Sequence, residues 1–544
     1  HPKGRVMRAF AAFGVAGLIG LGLLAGPNPR VHAQAERYDW LIVNGTVIDG
    51  TGAPRRRADV AIRGDRIVAV GAGLEALRAE RIIDATGHIV APGFIDNHAH
   101  LVTLEKYPHA ENFLRQGITT IMAALHSQDQ PWPMEDYRAR VRMAPNVGLF
   151  AGHTWTRKRV MDLANRAATP EELARMKAMV DTTMAKGGAL GLATGLEYVP
   201  ASFAPLEEVI ALAKVTAPYG GFYVTHMKDE GPGLLDSVRD AIRVGREAGV
   251  PVLINHHKAT GAAQFGWTAK SIALIEAANA AGQRVAHDLY PYTAFSTYSD
   301  LMFPAWALAD GKDAFARRVA DPATRARLVA EMLRIFPQQA GPTPASIQFR
   351  DVDFDASLSG KTLEDYLKAK GRAATLPEAV EALIELQLRG GFIGIFHAMD
   401  EADVERVMRH PLSMFETDGD LIELGKGFPH PRSLGSFPRV LGRYVRERHV
   451  LTLEQAVRKM TGQAADWWGQ RERGRLAPGA FADVVVLDAD RVADRATYSD
   501  PHHFPEGIRD VIVNGTSVIR DGGLTDALPG RFLERPGTAA ARPH

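Results

Sequence analysis

The chain has 544 residues, of which 46% are hydrophobic and 23% are charged, so a disordered tail or a lone small module is excluded and a large core can be buried. Lysine and arginine number 64 against 63 aspartates and glutamates, a formal net charge of +1, which removes the whole-chain electrostatic argument for binding nucleic acid. There is no cysteine, so disulfides, cysteine-ligated clusters and thiol nucleophiles are excluded, and any metal must be held by histidine, carboxylate or a modified lysine.

The N-terminal segment has the three-part layout of a secretory signal. Basic residues precede an apolar run over 9–25, and small residues follow it up to Ala33. We therefore predict a signal peptide over 1–33 and export to the periplasm or the exterior. The alternative is an uncleaved membrane anchor, for which the run is short because spanning takes about 20 apolar residues. No later segment resembles a span, so we expect no stable membrane association once the signal is removed.

Sequence that is typical of β-strands occurs at both ends of the remaining chain. Between Tyr38 and Val70, β-branched runs alternate with Asn-Gly and Gly-Asp turn signals, which is typical of antiparallel strands. Similar text returns near the C-terminus as FADVVVLDAD and IRDVIVNGTSVIRDG. We predict that segments 36–91 and 465–530 form one small sheet domain.

Between these segments, over 92–464, short apolar runs alternate with helix-like stretches. The strand candidates are GFIDNHAH, GITTIMAA, NVGLFAGH, GALGLATG, GFYVTH, VPVLINHH, RVAHDLYPY, GFIGIF and SMFETDGD. This alternation predicts an α/β fold, a (β/α)8 TIM barrel, with its active site at the carboxyl ends of the strands. Helices and loops over about 305–371 read as an insertion late in the barrel.

Chemistry-bearing side chains stand at the ends of these strand candidates. His98 and His100 close one strand and point the same way, because residues i and i+2 of a strand share a face. His226 and His256 each end another apolar run, and Asp418 follows a fourth. We therefore predict that four imidazoles and one carboxylate meet at the mouth of the barrel.

Imidazole and carboxylate ligands suit divalent ions of the zinc class. An open coordination position on such an ion lowers the pKa of bound water to about 7. Asp418, beside the metal, is placed to accept that water's proton and pass it to a leaving amine. We predict one or two Zn²⁺ ions as cofactor, with another divalent metal as the alternative.

Several longer motifs run through the chain between Tyr38 and about Arg535: VAPGFIDNHAH, GALGLATGLEYVP, YVTHMKDEG, INHHKATG, HDLYPYTAFST, HPRSLGSFPRVLGRYVRE and GRLAPGAFADVVVLDAD. In these motifs the chain resembles the D-aminoacylase (N-acyl-D-amino-acid deacylase) family of the amidohydrolase superfamily. The resemblance implies a metal-bearing (β/α)8 barrel joined to a small β-sandwich that is made from both terminal segments.

The resemblance also implies roles for individual residues. His98 and His100 match the histidine pair of the family's first strand. His226 and His256 match the histidines that hold its tightly bound zinc, and Asp418 matches its catalytic aspartate. Positions that hold the substrate carboxylate or polarise the scissile carbonyl are matched by Tyr198, Lys258, Tyr290, Ser296 and Arg432. Lysine and arginine are suitable donors to a carboxylate, and a tyrosine hydroxyl can donate to a developing oxyanion.

One departure from the family concerns the metal site. The second-strand segment of the family ends in Asn-Cys-Gly, whose cysteine binds or bridges the metal, whereas this chain reads TTIMAALHSQ. His126 falls near that position, but an imidazole cannot bridge two ions as a thiolate does. Glu197 is a second candidate ligand or bridge, and a solvated loop acid is an equally good interpretation of it. The number of metals and the native activity therefore stay open.

These observations predict an exported, metal-dependent hydrolase that cleaves the amide bond of a small N-acyl-D-amino acid or a related amide. The alternatives within the superfamily are a cyclic amidase, a dipeptidase, and a lactonase or esterase, because fold does not choose between them. The alternative of another class is a catalytically silent barrel that binds a metal or a small molecule. A homo-oligomer is compatible with the sequence.

Overall fold

The structure is a computed structural model, and it describes residues 37–123 and 130–535. The predicted signal peptide over 1–33 and His126 lie outside the described residues, so both stay predictions. Within the described ranges, no helix combines the length and the apolar character that crossing a membrane requires.

Seven short strands open the described chain. They are β1 (Tyr38–Val43), β2 (Thr46–Val47), β3 (Arg56–Arg57), β4 (Asp59–Arg63), β5 (Arg66–Gly71), β6 (Ala79–Asp84) and β7 (Ile89–Pro92). Four of them form a sheet in the order β5-β4-β1-β6, in which β1 pairs with β4 antiparallel and with β6 in parallel.

Parallel strands and helices then alternate along the chain. The strands are β8 (Phe94–Ala99), β9 (Ile118–Ala123), β10 (Asn146–Leu149), β11 (Ala151–Gly152), β12 (Gly191–Gly195), β13 (Phe222–His226), β14 (Val252–Ile254) and β15 (Val285–Leu289). The helices are α1 (Glu111–Leu114), α2 (Met134–Arg140), α3 (His153–Met161), α4 (Pro170–Ala185), α5 (Leu206–Thr216), α6 (Leu234–Ala248) and α7 (Thr268–Ala280).

An inserted module follows β15. It contains β16 (Phe295–Tyr298), α8 (Ala305–Leu308), α9 (Lys312–Ala320), α10 (Pro322–Gln339), β17 (Ile347–Asp351), α11 (Leu363–Ala369), α12 (Leu376–Leu388) and β18 (Ile393–Phe396). Its three strands form an antiparallel sheet in the order β16-β18-β17. A separate hydrophobic core, which includes Phe336, Phe349 and Phe396, packs beneath that sheet.

The predicted limits of this insertion, about 305–371, were too narrow. The module extends from 295 to 396, because β16 and β18 pair with each other. GFIGIF, a barrel-strand candidate in the sequence, is therefore part of the module. An apolar run predicts a strand but does not indicate which partner the strand will find.

The chain then returns to the barrel. The elements are α13 (Glu401–Arg409), β19 (Ser413–Phe415), α14 (Arg432–Arg439), a π-helical segment (Val440–Glu447), α15 (Leu453–Met460) and α16 (Gly462–Trp467). β19 pairs in parallel with β15, and beyond it the Asp418 N–H donates to the His98 carbonyl at 2.9 Å. The third barrel strand is divided at Phe150, with β10 pairing to β9 and β11 pairing to β12. Eight parallel strands thus form the predicted (β/α)8 barrel.

The amino-terminal end of the barrel is filled with side chains. The ring of Trp468 lies 5.5 Å from that of Phe150 and 4.9 Å from that of Phe222. Its indole N–H donates to Asn97 Oδ1 at 2.7 Å, so the polar atom of this buried ring is satisfied. The polar site therefore lies at the other end, where the strands have their carboxyl termini.

The last strands complete the terminal domain. They are β20 (Val484–Leu487), β21 (Ile508–Val513), β22 (Thr516–Arg520) and β23 (Gly523–Leu524). β20 pairs antiparallel with β7, which gives a sheet in the order β23-β22-β21-β20-β7-β2-β3. One sheet thus contains strands from both ends of the chain, and apolar side chains such as Trp40, Val60 and Val484 pack in the core of the two-sheet domain. The composite β-sandwich is confirmed, and its first C-terminal strand is β20, which begins at Val484.

Candidate active site

The side chains predicted to bind a metal come together at the carboxyl ends of the strands. Asp418 Oδ1 lies 3.3 Å from His98 Nε2 and 2.9 Å from His100 Nε2. His226 Nδ1 lies 2.9 Å from His256 Nε2. One ligand atom from each of His98, His256 and Asp418 lies within 4.8 Å of the other two, so two imidazoles and one carboxylate could hold a common metal ion, and His226 lies directly beside them.

The backbone at two of these residues is left-handed. His256 has φ 37° and follows β14, and Asp418 has φ 46° and follows β19. Histidine and aspartate are enriched in this region compared with other non-glycine residues, but the conformation still costs free energy. The surrounding barrel therefore has to stabilise a strained backbone at these two positions, as is common at functional sites.

The protonation states of this cluster suit a divalent cation. Burial lowers the pKa of His98 and of His226 to about 4 and lowers that of His256 further, so the three imidazoles are neutral near pH 7. Burial alone would raise the pKa of Asp418, but the Arg432 guanidinium and the adjacent histidines hold it well below its ordinary value. Neutral imidazoles with an ionised carboxylate are the form in which these groups bind metal. The residues present therefore fit an ion of the zinc class.

Two carboxylates contact the ring nitrogens of His226 and His256 that point away from the cluster. Glu230 Oε1 lies 2.9 Å from His256 Nδ1, so the Nε2 of that ring faces the cluster. Glu197 Oε2 lies 2.9 Å from His226 Nε2, which leaves Nδ1 of that ring toward the cluster. Such contacts orient a metal-binding imidazole and raise its basicity. Glu197, predicted as a ligand or a bridge, thus contacts a histidine in this structure, and Glu230 was missed although it lies within the motif YVTHMKDEG.

A cavity of about 240 Å³ opens above the cluster. The predicted site residues that line it are His100, Glu197, Tyr198, His226, His256, Lys258, Tyr290, Ser296, Asp418 and Arg432. His98 lies beneath the cavity and is 0% exposed. All the predicted site residues that the structure describes therefore line this cavity or lie directly beneath it.

The polar groups around the cavity are positioned by contacts with one another. Tyr198 Oη lies 2.9 Å from Thr297 Oγ1 and 3.5 Å from His226 Nδ1. Burial and the nearby Glu197 carboxylate raise the pKa of Tyr198 well above its ordinary value, so its hydroxyl stays a donor. Arg432 Nη1 lies 2.7 Å from Asp418 Oδ2, which fixes a cation beside the carboxylate.

Part of the cavity wall comes from the inserted module. Arg350 on β17 donates from Nη1 to Ser296 Oγ at 3.3 Å and pairs with Asp420 at 2.7 Å. Tyr298 and Ile393 of the same module also line the cavity. Arg350 was not predicted as a site residue because 305–371 was expected to form helices and loops, although the alternation in SIQFRDVD indicates a strand.

A layer of buried carboxyl groups lies close to the cluster. Burial and the Asp288 carboxylate raise the pKa of Glu416 well above its ordinary value, and burial raises that of Asp96 to about 7. Glu416 is 0% exposed, and neither of its carboxyl oxygens has a hydrogen-bond partner among the residues that the structure describes. Glu416 was not predicted as a site residue, although it stands two residues before Asp418.

A family model described as the amidohydrolase family matches residues 81–519. The chain belongs to the amidohydrolase family. The barrel of parallel strands, the terminal β-sandwich and the histidine cluster at the carboxyl ends of the strands agree with this membership.

Curated relatives place this amidohydrolase within the D-aminoacylase family. From Alcaligenes xylosoxydans xylosoxydans, a D-aminoacylase is 36% identical and an N-acyl-D-glutamate deacylase is also 36% identical, each over 93% of this chain and 99% of the relative. An N-acyl-D-aspartate deacylase from the same organism is 35% identical over 92% of this chain and 95% of its own length. The names of the three relatives specify different D-amino-acid derivatives, but this chain is almost equally identical to all three. Sequence identity alone therefore does not indicate which of these substrates this chain would prefer.

Solved structures show the same relationship. A D-aminoacylase with a binuclear metal centre, described by one-metal activation and second-metal attenuation, has a TM-score of 0.77 at 35% identity and covers 92% of this chain and 100% of its own. An N-acyl-D-glutamate deacylase from Bordetella bronchiseptica, complexed with zinc and a phosphonate that mimics the tetrahedral intermediate, has a TM-score of 0.77 at 33% identity with the same coverage. Metal binding is thus a property of solved members of this family.

Proposed function

We propose that this amidohydrolase cleaves the amide bond of N-acyl-D-amino acids and releases a carboxylate and the free D-amino acid. The observation that carries the proposal is the cluster of His98, His256 and Asp418 beneath a cavity, with His226 Nδ1 at 2.9 Å from His256 Nε2. It occurs in a chain that is 36% identical to a D-aminoacylase over 93% of its length.

We take the bound ion to be zinc, with one or two ions per chain. Neutral imidazoles and an ionised carboxylate are ligands that zinc prefers, and the Bordetella bronchiseptica relative was solved with zinc. When bound, such an ion supplies a Lewis acid and lowers the pKa of a coordinated water to about 7. His98, His100, His226, His256 and Asp418 would hold it.

Asp418 is the group that moves the proton. It is an ionised carboxylate, and its Oδ1 faces His98 and His100 while its Oδ2 faces Arg432. It accepts a proton from the attacking water and delivers it to the amide nitrogen as that nitrogen leaves. One residue thereby acts first as general base and then as general acid.

Tyr198, Lys258 and Arg432 bind and polarise the substrate. The Tyr198 hydroxyl, held between Thr297 and His226, donates toward the negative charge that develops on the carbonyl oxygen. Lys258 and Arg432 both line the cavity and pair with the α-carboxylate, the arginine in bidentate fashion. Tyr290 and Ser296 line the cavity beside them and complete the carboxylate site.

Export is part of the proposal. The basic residues, the apolar run and the small residues of 1–33 support a cleaved signal and a periplasmic or secreted enzyme that acts on small molecules. N-terminal sequencing of the mature protein tests this directly, and a start near Gln34 is the expected result. An intact N-terminus on protein recovered from the cytoplasm would contradict it.

Hydrolysis of paired substrates tests the activity. The full chain, purified without chelator, is assayed with N-acetyl-D- and N-acetyl-L-amino acids before and after chelation, and its metal content is measured by elemental analysis. We expect one or two zinc ions per chain and chelator-sensitive release of the D-amino acids. Retained metal with no cleavage of any N-acyl-D-amino acid would contradict the proposed substrate, and a chelator-resistant activity would contradict the metal dependence.

A further inference from the structure

A second cavity lies beside the one above the cluster, and we name it the side groove. Its volume is about 210 Å³. Val102 lines both spaces, so one side chain forms their common border. The apolar and aromatic side chains that line the side groove include Leu101, Val102, Leu104, Trp132, Tyr137 and Leu149. The groove is therefore an apolar neighbour of the cavity in which hydrolysis is proposed to occur.

Two side chains of the groove expose apolar surface to water. Val102 is 46% exposed and Trp132 is 39% exposed, which places both among the most exposed large apolar residues of the described ranges. The Trp132 ring packs against that of Trp155, with 5.4 Å between centroids, so the protein holds one side of the indole. A ligand that covers the remaining apolar surface gains free energy, and such surface beside a cavity is typical of a ligand-binding groove.

The polar groups of the side groove are engaged within the protein. Gln130 accepts from the Gly152 N–H at 2.8 Å and donates to Thr183 Oγ1 at 3.1 Å. Glu105 and Arg140 form an ion pair at 2.9 Å, and both side chains are more than half exposed. Apart from these three residues, the described lining is apolar or aromatic. The groove therefore suits an aliphatic occupant.

The side groove lies across the barrel from the proposed carboxylate site. Ala123 and Leu149, which line the groove, end β9 and β10 in the second and third barrel strands. Lys258 and Tyr290 follow β14 and β15, the sixth and seventh strands. In a closed ring of eight strands, the second is opposite the sixth and the third is opposite the seventh. A substrate whose α-carboxylate is held by Lys258 therefore extends across the cluster with its acyl group toward the groove.

We infer that this amidohydrolase prefers D-amino acids that carry a medium-chain aliphatic acyl group over their N-acetyl derivatives, with the acyl chain in the side groove along Val102 and Trp132. The inference rests on the proposed function and names the acyl part of its substrate. Val102 and Trp132 are then binding residues for the acyl chain and set the preferred chain length.

A longer acyl chain changes binding and leaves the reaction the same. Water adds to the acyl carbon, the C–N bond breaks, and Asp418 delivers the proton to the leaving nitrogen, so the products are a medium-chain carboxylate and the free D-amino acid. Each methylene that moves from water into the groove is expected to raise kcat/KM about three- to fourfold, chiefly by lowering KM, until the groove is filled.

A chain-length series tests the preference. The metal-loaded full chain is assayed with the N-acetyl, N-butanoyl, N-hexanoyl and N-octanoyl derivatives of the D-amino acid that it cleaves best as an N-acetyl derivative. We expect kcat/KM for the N-octanoyl substrate to exceed that for the N-acetyl substrate by about tenfold or more. A kcat/KM that is flat or falls with chain length would overturn the inference, whereas cleavage of no N-acyl-D-amino acid at all would contradict the proposed function instead.

A variant of the groove tests where the acyl chain lies. Trp132→Ala is compared with Leu388→Ala, a control on α12 whose side chain is 46% exposed and is not among the residues that line either cavity. The measurement is the ratio of kcat/KM for the N-octanoyl substrate to that for the N-acetyl substrate, so a partial loss of folded enzyme cancels. We expect this ratio to fall about fivefold or more in Trp132→Ala and to match the parent in Leu388→Ala. An unchanged ratio in Trp132→Ala would overturn the placement of the chain in the side groove.

Discussion

Asp418 is the residue at which metal binding and proton transfer meet. One carboxylate oxygen faces His98 and His100, and the other faces Arg432. Asp418→Asn keeps the size of the side chain and an oxygen ligand but removes the basic carboxylate. We expect the variant to retain bound zinc while kcat falls by about 10²-fold or more, the range found for a lost general acid–base group.

Elemental analysis and steady-state kinetics on the same preparation check this prediction. The silent metal-binding barrel, the alternative class left by the sequence, predicts no turnover in the parent either. A kcat for Asp418→Asn within a few-fold of the parent would show that another group moves the proton.

Glu230 positions two groups at once. Its carboxylate contacts His256 Nδ1 at 2.9 Å and Lys258 Nζ at 2.6 Å. We expect Glu230→Gln to weaken zinc binding by about 10- to 100-fold, because loss of such a partner loosens the ligand ring, and to raise KM through Lys258. Competition with a chromophoric chelator measures the affinity.

Glu247→Gln is the matched control, because Glu247 is a surface residue that pairs with Arg243 at 2.7 Å on its own helix. Zinc affinity should be unchanged in that variant. Unchanged affinity in Glu230→Gln as well would exclude a positioning role for Glu230.

The sequence predicted the residues that end strands, and it predicted them for a physical reason. His98, His226, His256 and Asp418 each follow an apolar run, and the carboxyl ends of parallel strands meet at one end of a barrel. Glu230 and Arg350 were missed because they act through partners that are distant in sequence or lie in another module. No local pattern indicates such contacts.

At the scale of elements, a buried ion pair joins two barrel helices. Arg157 of α3 is 0% exposed and pairs with Glu208 of α5 at 2.5 Å, and His153 contacts the same carboxylate at 2.9 Å. Glu208→Ala leaves a buried guanidinium without its charge partner. We expect the free energy of unfolding to fall by about 3 kcal/mol.

Denaturant unfolding of the metal-loaded chain measures this loss. Glu207→Ala is the control, because Glu207 precedes Glu208 on α5 and its side chain is 69% exposed. It should cost less than about 1 kcal/mol. Equal losses in the two variants would contradict a specific role for the buried pair.

The inserted module is the region in which the sequence did not predict how the strands pair. Its helices were recognisable, but its strand β18 (IGIF) has the same apolar character as barrel strands, and the short strand β16 (FSTY) has two polar residues. Pairing is decided by tertiary contacts, here the stack of Phe295 on Phe396 at 5.1 Å and the shared core beneath it. The sequence therefore predicted an insertion but not its limits, and it missed the wall that the module adds to the site.

At the scale of the whole molecule, one buried lysine links stability to pH. Burial and the neighbouring Arg458 lower the pKa of Lys459 to about 7 from 10.5, and its Nζ donates to the Ser413 carbonyl at 3.1 Å. Between these pH values the unfolded chain binds more protons than the folded chain, so this lysine's contribution to stability is present above about 10.5 and is lost as the pH falls through about 7.

Lys459→Met removes the titrating group and keeps the length of the side chain. We expect the free energy of unfolding of the parent to rise relative to that of the variant between pH 7 and pH 9, as measured by denaturant unfolding at both values. A difference between the two proteins that does not change with pH would contradict the lowered pKa.

The architecture as a whole was predictable because its signals are repeated many times along the chain. Eight strand-and-helix units and turn-rich strands at both ends agree with one arrangement, and an error in one unit does not change it. The seam at which the barrel closes, where the Asp418 N–H meets the His98 carbonyl, and the left-handed backbone at His256 and Asp418 depend on contacts between distant segments. They follow only from the folded chain.

The most direct test of the central claim is a zinc titration of the metal-free chain, with bound zinc and hydrolysis of an N-acetyl-D-amino acid followed together. We expect no activity in the metal-free protein, a rise that parallels the first bound ion, and no such rise in a His226→Ala/His256→Ala variant. Full activity without metal, or tight zinc binding in the parent that never brings D-amide hydrolysis, would contradict the account.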